Sequence, residues 1–229
     1  MTREAYFTKA TFAFLRELAS NNNRPWFEKN KPRYEKHVKE PAMRFITDFR
    51  PRLKKISPHF KADPRPVGGS MFRIYRDTRF AKDKSPYKTF TGIQFRHELG
   101  KNAHAPGFYL HLEPGNAFVG LGCWHPDSGS VRAIREAIVE DSPGWKRASR
   151  GRAFRELFAL EGESLLRHPR GFDPDHPLID DLKRKDFIAV APMPEKMITA
   201  RDFLEGFTEA CNGGKGLVRF LCKALGAPF

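Results

Sequence analysis

The chain has 229 residues, of which 40% are hydrophobic, and carries a formal net charge of +14. A chain of this length can fill a substantial core, so we expect one domain spanning residues 1–229. No apolar run approaches the roughly 20 residues that a membrane-spanning helix needs, and the N-terminus lacks a signal-peptide core. Three cysteines without paired spacing fit a reducing compartment. We therefore expect a cytoplasmic protein with no membrane partner.

The positive charge is distributed unevenly along the chain. Residues 1–101 hold 24 Lys and Arg against 10 Asp and Glu, whereas residues 102–229 hold 17 against 17. A focused positive potential raises the local concentration of anions, so the N-terminal part is predicted to meet phosphates, nucleic acid or acidic partners. A solvated face that only keeps the protein soluble explains the same charge.

Helical patterns dominate the first sixty residues. A hydrophobic staple with Thr8 at the N-cap predicts a first helix that ends at Asn21–Asn23. Pro25 suits the first turn of a second helix. Apolar residues at helical spacing over residues 42–56 predict a third helix, which Pro51 should kink or end.

Aromatic-rich patterns of period two follow and predict an antiparallel meander. These patterns are Met71–Arg76, Thr89–His97, Phe108–Glu113 and Phe118–Trp124, with a later strand at Phe187–Val190. Further helices are predicted after Asp127, near residues 145–160 and 178–183, and as a C-terminal pair broken at Gly213 and Gly214. The predicted fold class is α+β: an antiparallel-rich sheet of about five strands with N-terminal and C-terminal helices packed on it.

The segment of residues 72–90, FRIYRDTRFAKDKSPYKTF, is the part of the sequence with the densest chemistry. It holds six Lys and Arg against two Asp. The planar fork of arginine binds carboxylate or phosphate through two hydrogen bonds, and tyrosine adds a stacking face or a hydroxyl. We therefore predict an anion pocket here. The predicted ligand-binding residues are Arg73, Tyr75, Arg76, Arg79, Lys84, Tyr87 and Lys88.

An internal ion-pair network is the alternative explanation of this segment. Burying a charge without a partner costs several kcal/mol, so a buried arginine should find an acid or a bound anion. Asp77 and Asp83 are close enough in sequence to lock the arginines and to shape the turn before Pro86. The two explanations are compatible with each other.

Other polar residues are weaker candidates. His111 and Glu113 alternate with leucines, which puts both on one sheet face beside Tyr109, where they could supply a general base or serve a structural role. Cys123 and His125 share a strand face and would bind a metal only if neighbouring strands supplied further ligands. No motif indicates a metal or a cofactor, so we expect neither.

Four motifs give the sequence a family resemblance across nearly the whole chain. They are NNNRPWF from Asn21, FRIYRDTRFAKDKSPYK from Phe72, YLHLEPG from Tyr109 and HPRGFDPDHP from His168. In these the chain resembles the uncharacterised bacterial proteins grouped as domain of unknown function 2461. The family pattern has Ser at Ala81 and Lys at Arg170, so neither a hydroxyl at 81 nor an amine at 170 is essential here. The resemblance implies an α+β architecture and assigns no reaction.

Three functional hypotheses follow from the sequence. The first is a binding protein, or an enzyme whose reaction the sequence leaves open, that recognises a phosphate-bearing or other anionic small molecule at the basic aromatic segment. The second is a nucleic-acid-binding protein that uses the basic N-terminal surface. The third is a structural or interaction protein without a ligand, in which Arg and Asp residues satisfy one another.

Overall fold

The computed structural model describes residues 4–100 and 105–229 of the chain. The α-helices of these ranges are α1 (Lys9–Ser20), α2 (Arg24–Tyr34), α3 (Glu40–Ile56), α4 (Ser128–Glu140), α5 (Ser142–Arg150), α6 (Arg152–Arg155), α7 (Ile179–Leu182), α8 (Glu195–Ile198) and α9 (Phe203–Ala224). A π-helical turn, Glu35–Lys39, joins α2 to α3. The strands are β1 (Thr91–Arg96), β2 (Gly107–Leu112), β3 (Phe118–Cys123), β4 (Ala159–Glu161) and β5 (Phe187–Pro192).

The strands form one antiparallel sheet in the order β1-β2-β3-β5-β4. The predicted meander is β1-β2-β3, and β5 joins it along β3. Gly92 lies opposite His111, and Tyr109 lies opposite Gly120. An antiparallel sheet with helices before and after it confirms the predicted α+β class.

One face of the sheet is covered by α3 and α9. The ring of Phe95 in β1 lies 4.7 Å from Phe49 of α3 and 5.9 Å from Phe207 of α9, measured between centroids. All three side chains are fully buried. Large aromatic side chains of this kind contribute much of a core's buried apolar area, so this contact fixes the N-terminal and C-terminal helices on the same sheet.

Two predicted elements differ in part from the observed secondary structure. Met71–Arg76 forms only isolated bridges, Met71 to Ile93 and Tyr75 to Tyr87, because three residues on one side of this ladder face five on the other. The fifth strand is instead β4, which begins at the end of the region predicted as helical near residues 145–160; α5 and α6 confirm helices in the earlier part of that region. Gly151 has an extended ψ of 153° and separates α5 from α6.

Of the two predicted helix breaks, the one at Gly213 and Gly214 is wrong, and Pro51 does not end α3, which continues to Ile56. The predicted C-terminal pair is the single helix α9, which runs through Gly213 and Gly214. A Cβ at Gly214 would lie 1.9 Å from Leu121 Cδ2, so this glycine allows α9 to approach β3 closely and does not end the helix.

None of the helices in the described ranges combines the length and apolar character needed to cross a bilayer.

Candidate ligand-binding site

Residues 72–90, called the basic hairpin from here on, extend irregularly from the edge of β1. The Phe72 N–H donates to the Gly92 carbonyl at 2.9 Å, which attaches the start of the hairpin to the sheet. Further out, the Lys88 N–H donates to the Ile74 carbonyl at 2.7 Å and the Arg76 N–H donates to the Pro86 carbonyl at 2.9 Å. Backbone pairing therefore holds the two arms of the basic hairpin together up to its turn.

Tyr87 anchors the hairpin to the N-terminal helices. Its ring stacks on Phe27 of α2, with centroids 4.1 Å apart, and is 2% exposed. The side-chain amide of Asn22 donates to the Tyr87 carbonyl at 2.9 Å and accepts from the Tyr87 N–H at 3.1 Å. Tyr87 is thus placed in the core, behind the surface on which a ligand would stack.

Two of the predicted arginines form ion pairs within the hairpin. Arg76 pairs with Asp83, and Arg79 pairs with Asp77 at 2.6 Å. The hydrogen bonds from Arg79 lower the pKa of Asp77 to about 2. Hydrogen bonds from Ser85 and then from Arg76 hold the pKa of Asp83 well below its usual range. For these two arginines the geometry matches the predicted ion-pair network.

Lys84 stabilises the turn. Its ammonium donates to the Thr78 carbonyl at 2.9 Å and is exposed to solvent. This contact crosses the turn between the two arms of the basic hairpin. Lys84 therefore has a structural role in the turn, and its charge adds to the positive potential there.

Lys88 has a different environment from the other cations of the hairpin. Its ammonium donates to the Arg73 carbonyl at 2.7 Å and to the Tyr75 carbonyl at 2.8 Å. Burial, and then repulsion by Arg73 and Arg76, lower the pKa of Lys88. Among the residues that the structure describes, neither Lys88 nor Arg73 forms an ion pair. Three cations therefore lie close together; Asp83 is paired with Arg76, and Asp77 lies within electrostatic range of Arg73.

The seven predicted residues consequently separate into four sets. Arg73, Tyr75 and Lys88 are linked through the contacts of the Lys88 ammonium, and Tyr75 is 49% exposed. Arg76 adjoins them but is paired with Asp83. Arg79 and Lys84 lie at the turn, and Tyr87 lies in the core.

A hydrogen-bonded chain of three side chains lies on the other face of the sheet from α3 and α9. The Tyr109 hydroxyl lies 2.9 Å from His111 Nδ1, and His111 Nε2 lies 3.2 Å from Glu113 Oε2. Because a carboxylate only accepts, the imidazole hydrogen lies on Nε2, and Nδ1 accepts from the tyrosine hydroxyl. Burial lowers the pKa of His111, against the opposing effect of its hydrogen bond to Glu113, and burial raises the pKa of Tyr109.

Aromatic rings enclose this chain and connect it to the basic hairpin. The imidazole of His111 stacks on Phe90 at 4.5 Å and on Phe118 at 4.7 Å. The ring of Phe72 lies 5.9 Å from that of Tyr109. Phe72 and Phe90 are the two ends of the basic hairpin, so the YLHLEPG and FRIYRDTRF motifs meet at this point. The alternation of residues 109–113 predicted the shared face, whereas the stacking on Phe90 had no local signal.

The comparisons with known proteins agree with the resemblance of the motifs. The family described as conserved hypothetical protein (DUF2461) matches residues 10–220, which is nearly the whole chain. No curated protein matches the sequence.

Proposed function

The chain belongs to the DUF2461 family of conserved hypothetical proteins, and we propose that it binds a phosphate-bearing small molecule on its basic hairpin. The proposed contacts are Arg73 and Lys88, with the exposed ring of Tyr75 beside them. The observation that carries the proposal is the position of Lys88, a partly buried cation held by two carbonyls next to two arginines.

Electrostatics favours an anion at this position. Like charges that lie close together disfavour one another, and here Arg73 and Arg76 add to the larger effect of burial in lowering the pKa of Lys88. A phosphate oxygen between Lys88 and Arg73 would replace that repulsion with attraction and with charge-assisted hydrogen bonds. The guanidinium of Arg73 is exposed and has no ion pair among the described residues, so it is free to bind in the two-bond geometry that phosphate favours.

The ion pair of Arg79 at the turn limits which cations of the basic hairpin are available to a ligand. Arg79 is paired with Asp77. A ligand would have to displace this carboxylate to bind Arg79, whereas Arg73 and Lys88 lose no ion pair. The expected ligand is therefore small enough to be bound by the base of the hairpin.

The experiment is a calorimetric titration with ATP, inorganic pyrophosphate and duplex DNA of two lengths. The proposal predicts saturable one-to-one binding of ATP or pyrophosphate. It also predicts that the affinity for duplex DNA does not increase with the length of the duplex. A nucleic-acid-binding surface with four to six phosphate contacts would instead give a log–log salt slope of about −4 to −5 on duplex DNA. Binding of neither ATP nor pyrophosphate at millimolar concentration would reject the proposal.

We place this activity in the cytoplasm. The three cysteines, Cys123, Cys211 and Cys222, are buried and form no disulfide within the described residues, as is usual in a reducing compartment.

A further inference from the structure

The turn after β3 contains an unusual backbone conformation. His125 has a φ of +45°, in the left-handed region, and no other non-glycine residue of the described ranges has a positive φ. Such residues are uncommon, although histidine and asparagine adopt this conformation more readily than most. The His125 N–H donates to Asp186 Oδ1 at 2.7 Å, which stabilises the turn. A conformation of this kind persists where surrounding contacts fix it, and it often occurs at functional sites.

The same carboxylate orients the imidazole. His125 Nδ1 lies 3.0 Å from Asp186 Oδ1, and the Glu163 N–H donates to Asp186 Oδ2 at 2.9 Å. The side chain of Asp186 is 2% exposed, whereas that of His125 is 48% exposed. Because the carboxylate accepts, the hydrogen of the neutral imidazole lies on Nδ1. Nε2 is then an acceptor, carried on a ring that a buried carboxylate keeps in place.

This histidine lines an open cavity of about 650 Å³. The volume lies in the range of small-molecule sites. The wall includes the apolar residues Pro106, Leu225 and Ala227 and the polar residues His125, Asp127 and Ser130. The cavity therefore combines apolar surface with a few polar groups, as ligand sites usually do.

The polar side chains that the structure describes in the wall are mainly acceptors. The Ser130 hydroxyl donates to Asp127 Oδ2 at 2.7 Å, so its hydrogen is already bound. His97 also lines the cavity, but its Nε2 bonds the Pro228 carbonyl at 2.8 Å and its Nδ1 accepts from the Leu99 N–H at 3.1 Å. Among the described residues of the wall, His125 Nε2 and the negative charge of Asp127 remain for a ligand. This chemistry suits a donor or a cation and disfavours an anion.

We propose that this cavity binds a small amine that has an apolar body, with the amine donating to His125 Nε2 beside the Asp127 carboxylate. The apolar body packs on Pro106, Leu225 and Ala227. This site is separate from the basic hairpin in position and opposite to it in charge preference. A result that contradicts one of the two proposals therefore leaves the other unaffected.

The test compares two probes of the same size, benzylamine and benzoate, by titration of the full chain followed by NMR. Benzylamine is expected to shift the methyl signals of Leu225 and Ala227 in a saturable way, with at least about tenfold higher affinity than benzoate, the factor for one charge-assisted hydrogen bond. Equal binding of both probes, or binding of neither, would overturn the proposal.

Two variants keep the fold while removing the ligand contacts. His125→Asn retains a residue that tolerates positive φ, and Asp127→Asn retains a good N-cap for α4. Each should weaken benzylamine binding by about tenfold, whereas His168→Asn, at an exposed histidine, should leave it unchanged. Affinity that is the same in all three variants would show that benzylamine binds only through its ring, and the proposal would be wrong.

Discussion

Asn22 and Tyr87 are joined by a pair of hydrogen bonds between residues 65 positions apart in sequence. The Asn22 amide satisfies both backbone groups of Tyr87 as a neighbouring strand would, so the loop between α1 and α2 takes the place of a strand at the edge of the basic hairpin. The site at Arg73 and Lys88 therefore depends on a contact outside the hairpin.

Replacing Asn22 with Ala should destabilise the protein. The change leaves the partly buried N–H and carbonyl of Tyr87 without their partners, which costs about 1–3 kcal/mol. Chemical unfolding measures the loss. Asn21→Ala is the matched control, because the Asn21 amide only caps the Glu17 carbonyl at 2.9 Å on an exposed surface. Equal losses for the two variants would contradict the importance of the contact with Tyr87.

Two glycines of α9 should respond in opposite directions to alanine. Gly206 has open space where a Cβ would lie, so Gly206→Ala should gain about 0.5–1 kcal/mol from helix propensity. At Gly214 the Cβ would lie 1.9 Å from Leu121 Cδ2, so overpacking should outweigh that gain and destabilise by about 1 kcal/mol or more. Thermal unfolding of both variants tests the close approach of α9 to β3. A higher melting temperature for Gly214→Ala would contradict that close approach.

The pKa of His111 predicts a pH dependence of stability. Burial lowers this pKa in the folded state, so the unfolded chain binds the proton more tightly. The contribution of His111 to the free energy of unfolding is complete above the pKa of about 6.5 that histidine has in the unfolded chain. It is lost as the pH falls through the lowered pKa of the folded state. Tyr109 and Glu113 are the ionisable groups that contact the imidazole.

NMR titration of the His111 ring should show the lowered pKa directly. Glu113→Gln should lower it further, because the hydrogen bond to Glu113 opposes the effect of burial. His111→Gln should flatten the fall in unfolding free energy below pH 6.5, and the exposed His168→Gln should not. A pKa of His111 at or above the ordinary value would contradict the buried, neutral imidazole.

Asp83 competes with the proposed ligand for Arg76. Asp83→Asn removes this charge and should strengthen ATP binding by up to about fivefold, the range expected for a surface ion pair. Asp77→Asn is the comparison variant: it frees Arg79 at the turn and acts on Arg73 only through a weaker electrostatic interaction, so it should strengthen ATP binding less than Asp83→Asn does. Calorimetric titration compares the ATP affinities of the two variants. A larger effect of Asp77→Asn than of Asp83→Asn would indicate that ATP binds at the turn.

The sequence predicted the parts of the fold that depend on local periodicity. The amphipathic patterns before residue 57 became α1 to α3, and the alternation of residues 108–113 became β2, with His111 and Glu113 in contact. The misplaced elements depend on distant partners. β4 exists because it pairs with β5, and Met71–Arg76 is interrupted because its register with residues 87–93 does not match.

In the candidate site, too, the sequence predicted the local features and not the contacts between distant residues. The composition of residues 72–90 indicated which cations were available, but not which of them Asp77 and Asp83 would bind. The ladder that brings Lys88 next to Ile74, and the ammonium contacts with the Arg73 and Tyr75 carbonyls, fold the two arms of the hairpin together. Pairing of this kind depends on backbone geometry that composition does not contain.

The most direct test of the proposed anion site is the ATP affinity of three single variants, measured by calorimetry at about 0.15 M salt, where the Debye length is about 8 Å. Arg73→Gln and Lys88→Gln should each weaken binding by at least about tenfold, the factor for one charge-assisted hydrogen bond. Lys82→Gln removes the same charge from the exposed turn and should change the affinity by less than about twofold at this distance from the ligand. An equal effect of all three changes, or no effect of any, would contradict a site built on Arg73 and Lys88.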